Sequence, residues 1–240
     1  MATMRLLFLL LLLMALDSLA IAQVKPTLKP YTARYSVKYR GLNGGDIEFT
    51  LRSVGTNQFK FNSHLLPNFL GSLFTSDQAE DTSTFVFEAG TLKPLQFISE
   101  DGSKHTENDI NYEFDISSSQ VRARYQDRDF TMLVPQGVQD RLSIQLSASL
   151  ALQAGRDPGK LVMLEKDELQ EYTITSQGTE HIKTAAGEFD TLVLKSLRKD
   201  SDKITRYWYA SSLGFIPARA ERTSKGKTDI VMELKSIQFQ

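Results

Sequence analysis

Between Arg141 and Arg156 the chain carries no charge and, until Gly155, no turn residue, in a sequence that otherwise reads as one short strand after another. Within residues 139–155, Leu142, Ile144, Leu146, Ala148, Leu150 and Leu152 alternate with polar or small residues, which is the period of a strand. The composition is that of a helix: Leu, Ala and Gln dominate and Ile144 is the single β-branched residue. Asp140 is suited to an N-cap and Gly155 to the left-handed position after a helix. These borders predict a helix. A surface helix shows a charged face to water, and this one has none, so the rest of the chain is expected to curl around it.

The first residues read as an export signal. Arg5 precedes an apolar run from Leu6 to Leu16, and Ala20-Ile21-Ala22 offers a small-x-small cleavage site, so residues 1–22 are expected to be removed and residues 23–240 to form one β-rich domain. The expected location is the periplasm. No later stretch is long and apolar enough for a membrane span. The formal charge of −1 argues against nucleic acid as a partner. An exported chain without cysteine depends on its core rather than on disulfides, and roughly 220 residues suffice for one.

Alternation along Tyr31 to Tyr39, the glycine-rich turn at residues 41–45 and alternation again from Ile47 to Leu51 predict a hairpin. Similar short strands recur to Phe239, with a turn expected at Gly178 among others. The fold expected is mainly β: a single curled antiparallel sheet, half-open or closed as a barrel, with the long helix packed in or against it. A second, short apolar helix is expected from Pro67 to Phe74, with Phe69, Leu70, Leu73 and Phe74 on one side.

Templates for catalysis are missing. There is no nucleophile elbow, zinc-protease helix, phosphate loop or dinucleotide fingerprint, and thiol chemistry is excluded. His64, His105 and His181 are widely spaced, and the carboxylates at residues 77–81 and 165–168 read as solvated turns. No catalytic residue, metal site or cofactor is expected.

Four segments together resemble a known family: Tyr31-Thr32-Ala33-Arg34-Tyr35, Gln139-Asp140-Arg141-Leu142-Ser143, Gly187-Glu188-Phe189-Asp190-Thr191, and Trp208-Tyr209-Ala210 followed by Leu213-Gly214, Pro217 and Arg219. The combination resembles the exported proteins grouped as domain of unknown function 3108, over nearly all of the chain after the signal. That family has no assigned activity. The last segment is also similar, locally, to periplasmic lipoprotein-carrier half-barrels, which favours a lipid or lipoprotein carrier.

The expected function is therefore non-enzymatic binding of an acyl chain or another apolar envelope ligand. Tyr35, Phe49, Leu146 and Leu150 would line its groove, with Phe69, Leu70, Leu73 and Phe74 as a mobile lid or as a plug that closes the barrel end. Arg141 is a candidate for a carboxylate or phosphate head group, with pairing to a local acid as the competing role. The alternative is an envelope assembly or scaffold protein with a packed interior that acts through a protein partner.

Overall fold

The computed structural model of the chain describes residues 25–73 and 76–240. The expected signal, residues 1–22, lies outside them. Eight strands come first: β1 (Tyr31–Tyr39), β2 (Leu42–Gly55), β3 (Gln58–Pro67), β4 (Glu80–Glu88), β5 (Thr91–Glu100), β6 (Ile110–Asp115), β7 (Gln120–Tyr125) and β8 (Arg128–Leu133). Helix α1 (Ser143–Gln153) follows. Six more strands complete the chain: β9 (Lys160–Glu165), β10 (Glu168–Thr184), β11 (Gly187–Arg198), β12 (Ile204–Ala210), β13 (Ile216–Ser224) and β14 (Lys227–Phe239).

All the strands belong to one antiparallel sheet in the order β8-β7-β6-β5-β4-β3-β2-β1-β14-β13-β12-β11-β10-β9. Every sequential hairpin is a neighbouring pair, and β1 pairs with β14, Tyr31 lying opposite Phe239. The sheet is not closed. Its open edges, β8 and β9, are consecutive in sequence, and α1 is the connection between them.

The sheet curls so far that its two ends touch. Tyr112 on β6 donates to the Lys166 carbonyl in the β9–β10 turn at 2.8 Å, and Arg128 on β8 lies 3.4 Å from Asp167 in the same turn. Curling buries the inner face: Tyr31, Ala33 and Tyr35 of β1 are buried, as are Phe49 and Leu51 of β2 and Phe61 of β3. Edge-to-face contacts at 5.6 Å for Tyr35–Phe49 and 6.1 Å for Tyr31–Phe61 hold this aromatic layer. Tyr39, beyond register shifts on both sides of β1, emerges at the rim and is 42% exposed.

The helix forms where the borders predicted, and no residue of it is exposed. In a helix two residues advance about 200°, so period-two apolar spacing places stripes on opposite sides. Leu142, Leu146 and Leu150 join the main core, while Ala148 and Leu152 pack with Ile174, Leu194 and Tyr209. The strand-like alternation is thus what a helix needs between two walls. At its C-terminus Gly155 has φ of 66°, with Gly155 N–H bonding to Leu152 O and Arg156 N–H to Ala151 O, a complete Schellman motif.

Two expectations need correction. The segment from Pro67 is not an apolar helix: β3 continues to Pro67, opposite Gly45, and one 3-10 turn follows at Gly71–Leu73. The Asn68 side chain accepts from Gly71 N–H at 2.9 Å, and Gly71 is pressed against the Gly44 carbonyl so closely that a Cβ would lie 1.9 Å from it. That contact ties the segment to the start of β2. Gly178 makes a register shift within the long strand β10 rather than a turn.

Candidate functional site: a groove along α1

Three consecutive residues suspend the helix. Gln139 forms a parallel bridge to β9, its N–H bonding to Val162 O at 2.9 Å and its carbonyl accepting from Leu164 N–H at 2.9 Å. The Gln139 side chain reaches Leu92 O on β5 at 3.4 Å. Asp140 Oδ1 accepts from the N–H groups of Leu142 and Ser143, both at 2.8 Å, and Oδ2 accepts from Ser83 Oγ on β4 at 2.6 Å. Ser143 Oγ returns a bond from Asp140 N–H at 2.9 Å, a reciprocal cap. Arg141 meets Asp81 on β4 at 3.2 Å and Glu165 on β9 at 3.0 Å. This triplet fastens both arms of the open sheet to the start of α1.

Burial raises the Asp140 carboxyl above its ordinary range, against the lowering effect of Ser83 and the two amides. Arg141 sits between two acids, the competing role expected for it, and lies over the Phe97 ring at 5.8 Å.

The clamp leaves α1 unequally packed. Beside Ile144, Gln145 and Ala148 runs a cavity of about 370 Å³ between the helix and the inner face of the sheet. It continues into a second space of about 580 Å³ at the β9–β10 turn, the two sharing Glu165, Tyr172, Ser196, Thr205 and Arg222. At its other end it shares Tyr31, Leu146 and Ser149 with a third space of about 480 Å³, walled by Leu28, Leu213, Phe215 and Phe239. The first and third spaces thus adjoin beside α1 from Arg141 to Gln153, and the polar space adjoins the first beyond the helix start.

The middle of the groove is apolar with a sparse polar fringe. Burial raises the hydroxyls of Tyr31, Tyr35 and Tyr209, and pushes Tyr207 up to about 12, so all four stay neutral in ordinary buffers. Tyr35 donates to Pro217 O at 2.8 Å. Among the described residues the hydroxyls of Tyr31 and Tyr209 find no protein partner, yet the only inaccessible unpaired side-chain polar atoms are Asn62 Oδ1 and Arg219 Nε. The two hydroxyls thus open onto the groove.

Of the residues named from the sequence, Tyr35, Phe49 and Leu146 line this groove. Leu150 is in the core, 2% exposed, and does not line it. Leu70 lines a different space of about 580 Å³ at the β1–β2 turn, with Val37, Tyr39 and Leu65. Phe69 lines neither and is 82% exposed. Phe74 and the Leu73 side chain lie outside the described residues. The C-terminal wall, Met163, Tyr172, Ile174, Tyr207 and Tyr209, was missed. Period two in Tyr207-Trp208-Tyr209 carried the signal, since alternation aims both tyrosines to one face.

His64 is half-buried on β3, His105 is exposed, and His181 pairs with Asp190 at 2.8 Å on the exposed β10–β11 hairpin. Among the described residues no cluster of three metal-ligating side chains occurs, and no helix is long and apolar enough to cross a membrane.

A sequence model of the family described as a protein of unknown function, DUF3108, matches residues 34–235. The chain belongs to the DUF3108 family. No curated protein matches it in sequence. The β-barrel-like DUF1849 protein of Brucella abortus resembles this DUF3108 chain with a TM-score of 0.57 at 9% identity, covering 89% of this chain and 98% of that one. That likeness is one of fold alone. A Bacteroides fragilis protein with a YmcC-like fold has a TM-score of 0.42 at 12% identity, covering 90% of this chain and 99% of that one. MucB has a TM-score of 0.38 at 10% identity, covering 91% of this chain and 55% of that one. Neither carries an argument for this DUF3108 protein.

Proposed function

We propose that the chain is an exported, periplasmic, non-enzymatic binding protein that holds an acyl chain or another apolar envelope ligand beside α1. The observation that carries this reading is the groove beside α1, whose 370 Å³ middle section is walled by Leu, Ile, Met and aromatic side chains and fringed by the free hydroxyls of Tyr31 and Tyr209. Ligand sites are concave, mostly apolar and supplied with a few fixed polar groups, and span about 300–1,000 Å³. Holding rather than turnover is favoured by the polar groups at hand. The tyrosines are neutral, and Arg141 and Glu165 are committed to each other. Native mass spectrometry of the mature chain purified gently from an envelope fraction should reveal a co-purifying apolar mass, removed by organic extraction. A bare protein mass that also takes up no fluorescent fatty acid contradicts the reading.

A second reading, an envelope scaffold, has its own observation. β8 is an unpaired edge, and Leu133 on it is 72% exposed. An open edge can receive a strand from a partner. Because the chain has no cysteine, Leu133→Cys provides a unique attachment point for a crosslinker. A single defined adduct in the envelope favours the scaffold, and no adduct counts against it.

A further inference from the structure

The two ends of the groove differ in chemistry. At the Leu213–Phe215 end the walls are mostly aliphatic and aromatic, and the lysines there, Lys25 and Lys29, also without an ion pair among the described residues, lie on the extended lead before β1. At the β9–β10 turn the walls are polar and include Gln126, Lys166, Arg198, Lys203 and Arg222.

Three of the seven charged residues that line that polar end are already paired. Glu165 is held by Arg141, Asp167 by Arg128, and Arg222 by Asp229 through two bonds of 3.0 and 2.9 Å. Lys166, Arg198 and Lys203 have no ion-pair partner among the described residues, although all three line the space, and Glu168, bonded only to the Gln170 amide, is the one unpaired acid of the lining. Arg198 closes the strand pair opposite Tyr172, a residue shared with the apolar section. Its charge is felt there: burial and Glu165 raise the Tyr172 hydroxyl, and Arg198 opposes them. Three unpaired cations against one unpaired acid therefore stand where the apolar groove turns polar.

From this geometry we infer that the polar end seats the anionic head group, a carboxylate or a phosphate, of a single-chain amphiphile whose tail lies along α1. The inference rests on the binding function proposed above. A guanidinium and an ammonium recognise oxyanions through charge-assisted hydrogen bonds. The 370 Å³ middle section is near the small end of ligand pockets, about 300–1,000 Å³, and admits one chain rather than two.

The test is a competition titration of the mature chain with paired ligands of equal tail: palmitate against its methyl ester, and lysophosphatidate against monoacylglycerol. At low salt each anion is expected to bind about tenfold more tightly than its neutral partner, equivalent to about 1.4 kcal/mol. Preference in only one pair identifies the head group as carboxylate or as phosphate. In the double variant Arg198→Gln, Lys203→Gln the preference disappears while the neutral ligands bind as before. Unchanged Trp208 emission, from the single tryptophan, shows that the fold is kept. Equal affinities within both pairs, or a preference that survives the double substitution, overturns the head-group site and leaves the apolar groove standing. If none of the four ligands binds, the groove reading itself is lost.

Discussion

The Ser83 hydroxyl donates to the Asp140 carboxylate at 2.6 Å, tying β4 to the start of a helix 57 positions later in the chain. Both groups are wholly buried. This bond is the innermost part of the Gln139-Asp140-Arg141 clamp, which spans the gap in the sheet and fixes how far α1 stands from the opposite wall. The width of the groove follows from that distance.

Asp140→Ala removes the cap of α1 and strands the buried Ser83 hydroxyl. A lost cap costs about 1 kcal/mol, and a buried group left unpaired about 1–3 kcal/mol. Urea denaturation is expected to show a loss of about 3 kcal/mol. Asp140→Asn keeps the acceptor for Leu142 and Ser143, so it should lose less than half as much. Equal losses in the two variants would contradict the capping role.

The same residue makes stability depend on pH in a fixed direction. Burial raises the folded-state pKa of Asp140 above the unfolded value of about 3.9. The folded chain therefore holds this proton more tightly than the unfolded chain. The stability so gained is fully present below the unfolded pKa and is lost as pH rises through the folded pKa. Urea melts of wild type and Asp140→Asn from acid to neutral pH should show the difference, wild type minus variant, falling across that window and then levelling. A difference that grows with pH would show the carboxylate to be stabilised in the fold instead.

Arg141 and Glu165 join the helix start to β9 at 3.0 Å, with side chains 38% and 25% exposed. Water screens such a pair, so a double-mutant cycle with Arg141→Met and Glu165→Gln should give a coupling of about 1 kcal/mol or less. Ligand uptake at saturating probe should survive in both single variants if Arg141 positions the helix and takes no part in holding the ligand. Loss of uptake in the Arg141 variant alone would restore its head-group role.

The mainly β architecture was legible because Tyr31, Tyr35, Phe49 and Phe61 alternate with polar residues, and alternation is sufficient to choose a strand face. The helix was legible from Asp140 and Gly155, whose capping roles depend on local backbone only. Two things were not. The groove's C-terminal wall depends on Tyr207 and Tyr209 coming to face Tyr31 and Phe49 through the β1–β14 pairing, a contact between the two ends of the described chain that no local pattern specifies. The segment after Pro67 has the composition of an amphipathic helix, and the close approach of Gly71 to Gly44 overrides it.

That approach is testable by itself. In Gly71→Ala the new methyl would lie 1.9 Å from the Gly44 carbonyl oxygen, a backbone atom that cannot turn aside. A loss of about 1–3 kcal/mol in urea melts is expected, as for other overpacked sites. Because this contact lies at the start of β2, away from α1, acyl-probe affinity should be unchanged in the folded variant.

The groove beside α1 is tested most directly by filling it. Ile144 is half-buried and projects into the 370 Å³ section, so Ile144→Trp occupies ligand space without entering the packed stripe of Leu142, Leu146 and Leu150. Titration of wild type and Ile144→Trp with a fluorescent fatty acid, alongside their urea midpoints, is the decisive comparison. Saturable binding by wild type, weakened at least about tenfold in a variant of unchanged midpoint, is the expected result. Equal binding by the two proteins, or none by wild type, would contradict a ligand groove along α1.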